Sequence, residues 1–130
     1  MTSIKSHIVI VDDDESVCRA MERLVRSMGM TAETYTSSED FLAQMESLKT
    51  FQLDCVILDI QMPGMNGIEL QQRLRLIDKD IPVIFITAYD DRIDKDRAIA
   101  GGAVAVLRKP CNDALILRTL ATALERDGAA

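Results

Sequence analysis

Three carboxylates, one hydroxyl and one lysine each stand at the end of an apolar run in this chain. Asp12 and Asp13 close His7–Val11, Asp59 closes Cys55–Leu58, Thr87 closes Val83–Ile86, and Lys109 follows Val104–Leu107. Short continuous runs of Val, Ile and Leu read as strands of a parallel sheet buried on both faces. The carboxyl ends of such strands lie together, and parallel α/β sheets place their ligand sites outside those ends. Residues far apart in sequence therefore converge on one pocket. Carboxylates brought that close repel one another and titrate upward unless a cation sits among them. Asp12, Asp13 and Asp59 together predict a divalent metal, and hard oxygen ligands favour Mg2+. Lys109 offers a point cation and Thr87 a hydroxyl donor.

The elements that must position these residues alternate regularly. Val17, Ala20, Met21, Leu24, Val25 and Met28 have the spacing of one helical face over residues 16–28, and Gly29 stops that helix. Residues 31–35 alternate as a short strand. Ser37-Ser38-Glu39-Asp40 then has the composition of a helix start before Phe41, Met45 and Leu48. Leu70, Leu74 and Ile77 mark a third helix, Pro82 opens a fourth strand, and Leu117, Leu120, Ala121 and Leu124 mark a last helix. Residues 90–100 offer only Ile93 and Ile99 among charged or small side chains. That helix has the thinnest apolar face and is expected to be the least firmly held. Five strand–helix pairs imply an α/β, doubly wound (βα)5 domain, its parallel sheet covered by helices on both faces.

The chain's 130 residues suit one domain, residues 1–130 with a core of about 7–126. At 48% hydrophobic and 28% charged, the composition is globular. No apolar run reaches the length of a bilayer span, and Met-Thr-Ser-Ile-Lys-Ser-His lacks the apolar stretch of a secretion signal, so a soluble cytoplasmic protein is expected. Cys18, Cys55 and Cys111 have no metal-like spacing and read as reduced structural thiols. A net charge of -6 argues against direct nucleic-acid binding, which needs clustered Lys and Arg.

The most specific stretch is Asp59-Ile-Gln-Met-Pro-Gly-Met-Asn-Gly67. Taken with Val11-Asp-Asp13, Thr87-Ala88 and Lys109-Pro110, it resembles the receiver domain of two-component response regulators over residues 7–126. The resemblance implies a flavodoxin-like sheet of strand order 2-1-3-4-5. It implies that Asp59 accepts a phosphoryl group from a histidine kinase or phosphotransfer protein, in a Mg2+-dependent reaction. The family-matched metal ligands are Asp13, Asp59 and the backbone carbonyl of Gln61, with Asp12 acting partly through water. Lys109 would pair with the acidic cluster, Thr87 would swing to meet the phosphoryl group, and Pro110 would follow a cis bond. Ala88 is small and leaves the phosphate route open. Such a domain catalyses only its own phosphorylation and dephosphorylation, so it is not an enzyme toward external substrates. The resemblance also places kinase choice at Ser16, Arg19, Arg23 and the loop around Asn112. Output or homodimerisation on phosphorylation would use the fourth helix, fifth strand and fifth helix, where Arg92, Asp96, Arg97 and Arg118 are available for charge pairing.

Two positions depart from the family pattern. Val106 stands where many receivers carry Tyr or Phe, and Cys111 stands where many carry Phe after Lys-Pro. Tyr89 and Gln61 occupy positions that in the family influence phosphoryl lifetime. Blander roles compete for single residues: Asp14 and Glu15 read as helix caps, Asp59 alone as a turn-capping carboxylate, Thr87 as a strand residue and Lys109 as a solvated charge. His7 has no partner in sequence and reads as a strand-edge residue. A Mg2+-dependent phosphatase would need a second acid two residues after Asp59, where Gln61 stands. A flavin or nucleotide module would need a glycine-rich turn after the first strand, where Asp12 to Glu15 stand instead. An unphosphorylated scaffold receiver would not need the intact acidic set with Lys109. Whether the chain is a single-domain regulator or part of a longer one stays open at this level.

Overall fold

Every strand of the sheet runs parallel to its neighbours, and numbered in chain order the strands lie 2-1-3-4-5 across it. The computed structural model describes residues 6–47, 53–78 and 80–128. Strands β1 (His7–Val11), β2 (Thr31–Tyr35), β3 (Cys55–Leu58), β4 (Val83–Thr87) and β5 (Ala105–Arg108) alternate with five helices. These are α1 (Glu15–Ser27), α2 (Ser38–Ser47), α3 (Gly67–Ile77), α4 (Arg92–Ala100) and α5 (Asp113–Gly128). The expected strand order and the doubly wound α/β class are both present. β1 and β3 are central and almost wholly buried, which is why they read as unbroken apolar runs.

Alternate strand residues build two cores. Val9, Val11, Val56, Leu58 and Phe85 face α2, α3 and α4, whereas Ile8, Ile10, Ile57, Ile84 and Ile86 face α1 and α5. The helix faces differ in detail from the periodicity. α1 buries Cys18, Met21 and Val25, while Ala20 is exposed and Met28 lies at 57% exposure beyond the helix end. α5 buries Ile116, Leu120 and Ala123, leaving Ala121 exposed and Leu117 and Leu124 half-buried. Ile77 of α3 is also exposed, whereas Gln71, a polar residue, is buried there. Each of these segments carries more apolar residues than one helical stripe can bury, and the sheet selects among the overlapping stripes. Leu48 lies outside the described residues.

α4 is the least buried helix of the α2–α4 layer in the sense the sequence suggested. Ile93 and Ile99 both point outward, and Ala98 is its one buried side chain. Polar bonds from α3 hold it instead: Gln71 Nε2 donates to the Ala98 carbonyl at 3.0 Å, and Arg75 donates to the Gly101 carbonyl. His7, partnerless in sequence, acquires partners from the β1–β2 register. Its ring nitrogens lie 2.7 Å from Thr31 Oγ1 and 2.7 Å from Glu33 Oε1. None of the helices among the described residues is long and apolar enough to cross a membrane.

Candidate functional site

Backbone bonds carry the sheet register one residue past the strands and so bring the chemistry together. The Asp12 N–H donates to Tyr35 O at 3.0 Å, the Asp59 N–H to Val11 O at 3.0 Å, and the Lys109 N–H to Thr87 O at 2.7 Å. Asp12, Asp59 and Thr87 are consequently buried, at 3%, 7% and 5% exposure, while Asp13 faces solvent. Carboxylate oxygens of Asp12, Asp13 and Asp59 all lie within 4.8 Å of one another. The Lys109 ammonium reaches into this group, 2.7 Å from Asp12 Oδ2 and 3.3 Å from Asp59 Oδ2. The Lys109–Pro110 peptide is cis.

The electrostatics leave room for a cation. Among the described residues, three carboxylates against one ammonium leave two negative charges uncompensated, and Asp59 Oδ1 is buried with no hydrogen-bond partner. A buried anionic oxygen without a partner is costly, and a divalent ion satisfies both deficits. Burial, then the charge of Asp12, pushes the Asp59 carboxyl above its usual range, with Lys109 opposing. Burial pulls the Lys109 ammonium down, but its bond to Asp12 and the two carboxylate charges outweigh that and hold it raised. The residues present therefore fit a metal held by Asp12, Asp13 and Asp59.

The neighbouring residues take more ordinary roles. Asp14 caps α1, accepting the Ser16 N–H at 2.9 Å, and Glu15 sits in the first turn beside Arg19. The Cys18 thiol, pushed up to about 11 by burial and by Asp12, is an inert packing group. Asn66 forms a capping box with Glu69 at the start of α3, and Gly67 is required because a Cβ there would collide with the Asp59 carbonyl. Thr87 Oγ1 accepts the Tyr89 N–H at 3.2 Å, and Tyr89 is 61% exposed. Thr87, Tyr89 and Val106 line a small cavity of about 50 Å3 beneath the β4–α4 loop.

Three side-chain contacts that the sequence did not reveal connect this site to its surroundings. The Gln61 side chain donates to Asp94 Oδ2 of α4 at 3.0 Å. Glu39 binds the β3–α3 loop, and Gln71 binds α4. Their partners lie 26 to 33 residues away, so no local spacing reveals them.

Residues 8–121 match the family described as response regulator receiver domain. The chain belongs to that family. This receiver domain is 36% identical over 125 residues to response regulator protein TmoT of Ectopseudomonas mendocina, covering 96% of the chain and 56% of that protein. It is 35% identical to nodulation protein W of Bradyrhizobium diazoefficiens, covering 96% and 54%. Among solved structures, a response regulator receiver protein from Burkholderia phymatum matches with a TM-score of 0.82 and 52% identity, over 92% of this chain and 95% of that one. The receiver domain spans about half the length of the curated relatives it matches.

Proposed function

We propose that this receiver domain takes a phosphoryl group on Asp59 from a phosphohistidine of a histidine kinase or phosphotransfer protein, with Mg2+ bound. The observation that carries the proposal is the Asp12–Lys109–Asp59 bridge with its unpartnered Asp59 oxygen. An Asp59 oxygen attacks phosphorus, the donor's P–N bond breaks, and the imidazole leaves with a proton. Lys109, already 3.3 Å from Asp59, stays beside the transferred oxygens as a point cation. Asp13, Asp59 and the Gln61 carbonyl, with Asp12 partly through water, would hold Mg2+, which would supply charge neutralisation for the in-line transfer. The Thr87 hydroxyl exchanges the Tyr89 N–H for the new phosphoryl group, which brings about -1.5 to -2 charge.

Water later hydrolyses the acyl phosphate. Gln61 supplies no second acid, so we assign the domain no turnover of external substrates. A donor fits the apolar groove of about 310 Å3 between α1 and the β5–α5 loop, which includes Val17, Ala20, Leu24, Pro110 and Cys111. The exposed Ser16, Arg19 and Arg23 lie on the same helix, while Asn112 caps the start of α5 through Leu115. The output surface is α4–β5–α5, where Arg92, Asp96, Arg97 and Arg118 are exposed and make no ion pair among the described residues. Phosphorylation-dependent homodimerisation there, without direct nucleic-acid or membrane contact, completes the reading. We take residues 1–130 as one cytoplasmic receiver domain.

Intact mass after incubation with acetyl phosphate tests this. One base-labile phosphoryl adduct that requires Mg2+ and is absent from Asp59→Asn is expected. No adduct under any condition would favour an unphosphorylated scaffold.

A further inference from the structure

Glu39, in the first turn of α2, reaches the tip of the loop between β3 and α3. Its Oε2 accepts the Met65 N–H at 2.8 Å across 26 residues of sequence. That bond is the first reason the Glu39 carboxyl is held below its usual range. Gly64 permits the approach in two ways. It adopts φ +75°, which side-chain-bearing residues avoid, and a Cβ there would lie 2.6 Å from Glu39 Oε2. The base of the same loop is fixed separately: the Gly67 N–H donates to Ile60 O at 2.9 Å, and Ile60 and Met62 are buried. Gln61 lies between the anchored base and the Glu39-bound tip.

We propose that Glu39 is a positioning residue for the metal: by holding the loop tip, it fixes the Gln61 carbonyl where the ion binds. The inference rests on the Mg2+ ligand set proposed above. A carbonyl contributes most to affinity when it is oriented before the ion arrives, because the loop then loses no further freedom on binding. Glu39 touches no ligand atom and acts through the Met65 N–H. A carboxylate suits the task because a charge-assisted bond holds a backbone donor more firmly than a neutral one.

The test compares the full chain with Glu39→Ala and Glu39→Gln by calorimetric Mg2+ titration without phosphodonor. Acetyl phosphate phosphorylation is then followed across a Mg2+ series. Glu39→Ala is expected to raise the Mg2+ Kd about tenfold, the low end for outer-shell partners, while leaving the rate at saturating Mg2+ unchanged. Glu39→Gln keeps an acceptor oxygen and recovers most of the affinity. Unfolding without Mg2+ should be nearly unaltered, since Glu39 is exposed. Gly64→Ala attacks the same contact from the loop side besides straining φ, so its effect on Kd should add less than fully to that of Glu39→Ala.

A wild-type Kd in Glu39→Ala, a lower saturating rate with unchanged Kd, or full additivity with Gly64→Ala would each overturn the role of Glu39. If the wild type binds Mg2+ and takes the phosphoryl group while Glu39→Ala matches it, this inference alone fails. If the wild type does neither, the functional reading fails first and takes this one with it.

Discussion

Helices α1 and α4 serve the same site and are attached to the sheet in opposite ways. α1 follows Asp12 and Asp13 and buries Cys18, Met21 and Val25 against the strands. α4 follows Thr87 and Tyr89, buries only Ala98, and is held by the Gln71, Arg75 and Gln61–Asp94 bonds. Burying an apolar side chain stabilises by roughly 1.5–3 kcal/mol, whereas a typical hydrogen bond nets about 1 kcal/mol. A phosphoryl group that recruits one to three charge-assisted bonds therefore competes on equal terms with the attachments of α4 and not with those of α1. The acidic side is the fixed half of the site, and the hydroxyl side is the half that a local charge change can move.

Substitutions can break that comparison. Lys109→Met removes the cation that bridges Asp12 and Asp59 and leaves the two buried carboxylates facing each other. We expect about 3 kcal/mol of lost stability in chemical denaturation without metal, partly restored by Mg2+. Val25→Ala, in the fixed half, should lower global stability by about 2 kcal/mol and leave relative protection across the helices unchanged in hydrogen exchange.

Asp59→Asn should act in the opposite direction. The folded-state pKa of Asp59 is raised, so its contribution favours folding at low pH and is lost as pH rises through the folded value. The variant's stability advantage should therefore grow toward neutral pH in metal-free unfolding experiments; a severe loss instead would make Asp59 structural. Gln71→Leu should cost about 1 kcal/mol and raise exchange in α4 selectively, with α1 unchanged. Ile93→Ser, at an exposed position, should change global stability by less than about 0.5 kcal/mol. Equal exchange responses of α1 and α4 to Gln71→Leu would remove the distinction.

Much of this was legible in the sequence because strand ends are local features. Each run of Val and Ile announces a buried strand, and the residue that follows it is placed by the sheet register, so Asp12, Asp59, Thr87 and Lys109 could be named before their distances were known. The sparse apolar content of α4 was equally visible. Helix faces were less so, because α5 carries two overlapping apolar stripes and only the sheet decides that Ile116 and Ala123, not Ala121, turn inward. Contacts made by exposed or polar side chains across the fold were not legible at all. Glu39 looks like any first-turn acid, Gln71 like any surface glutamine, and His7 like a lone ring until the register supplies Thr31 and Glu33.

The bridge from Lys109 to Asp12 joins positions 97 residues apart. The acidic cluster can gather as soon as β1 and β3 pair, but its ammonium arrives only when β5 has been made and has paired with β4. A chain still emerging from the ribosome, or one cut before β5, carries the carboxylates without their cation. On the function proposed above, such a chain would lack the cation that stands beside the transferred phosphoryl group, and half-made copies would stay silent.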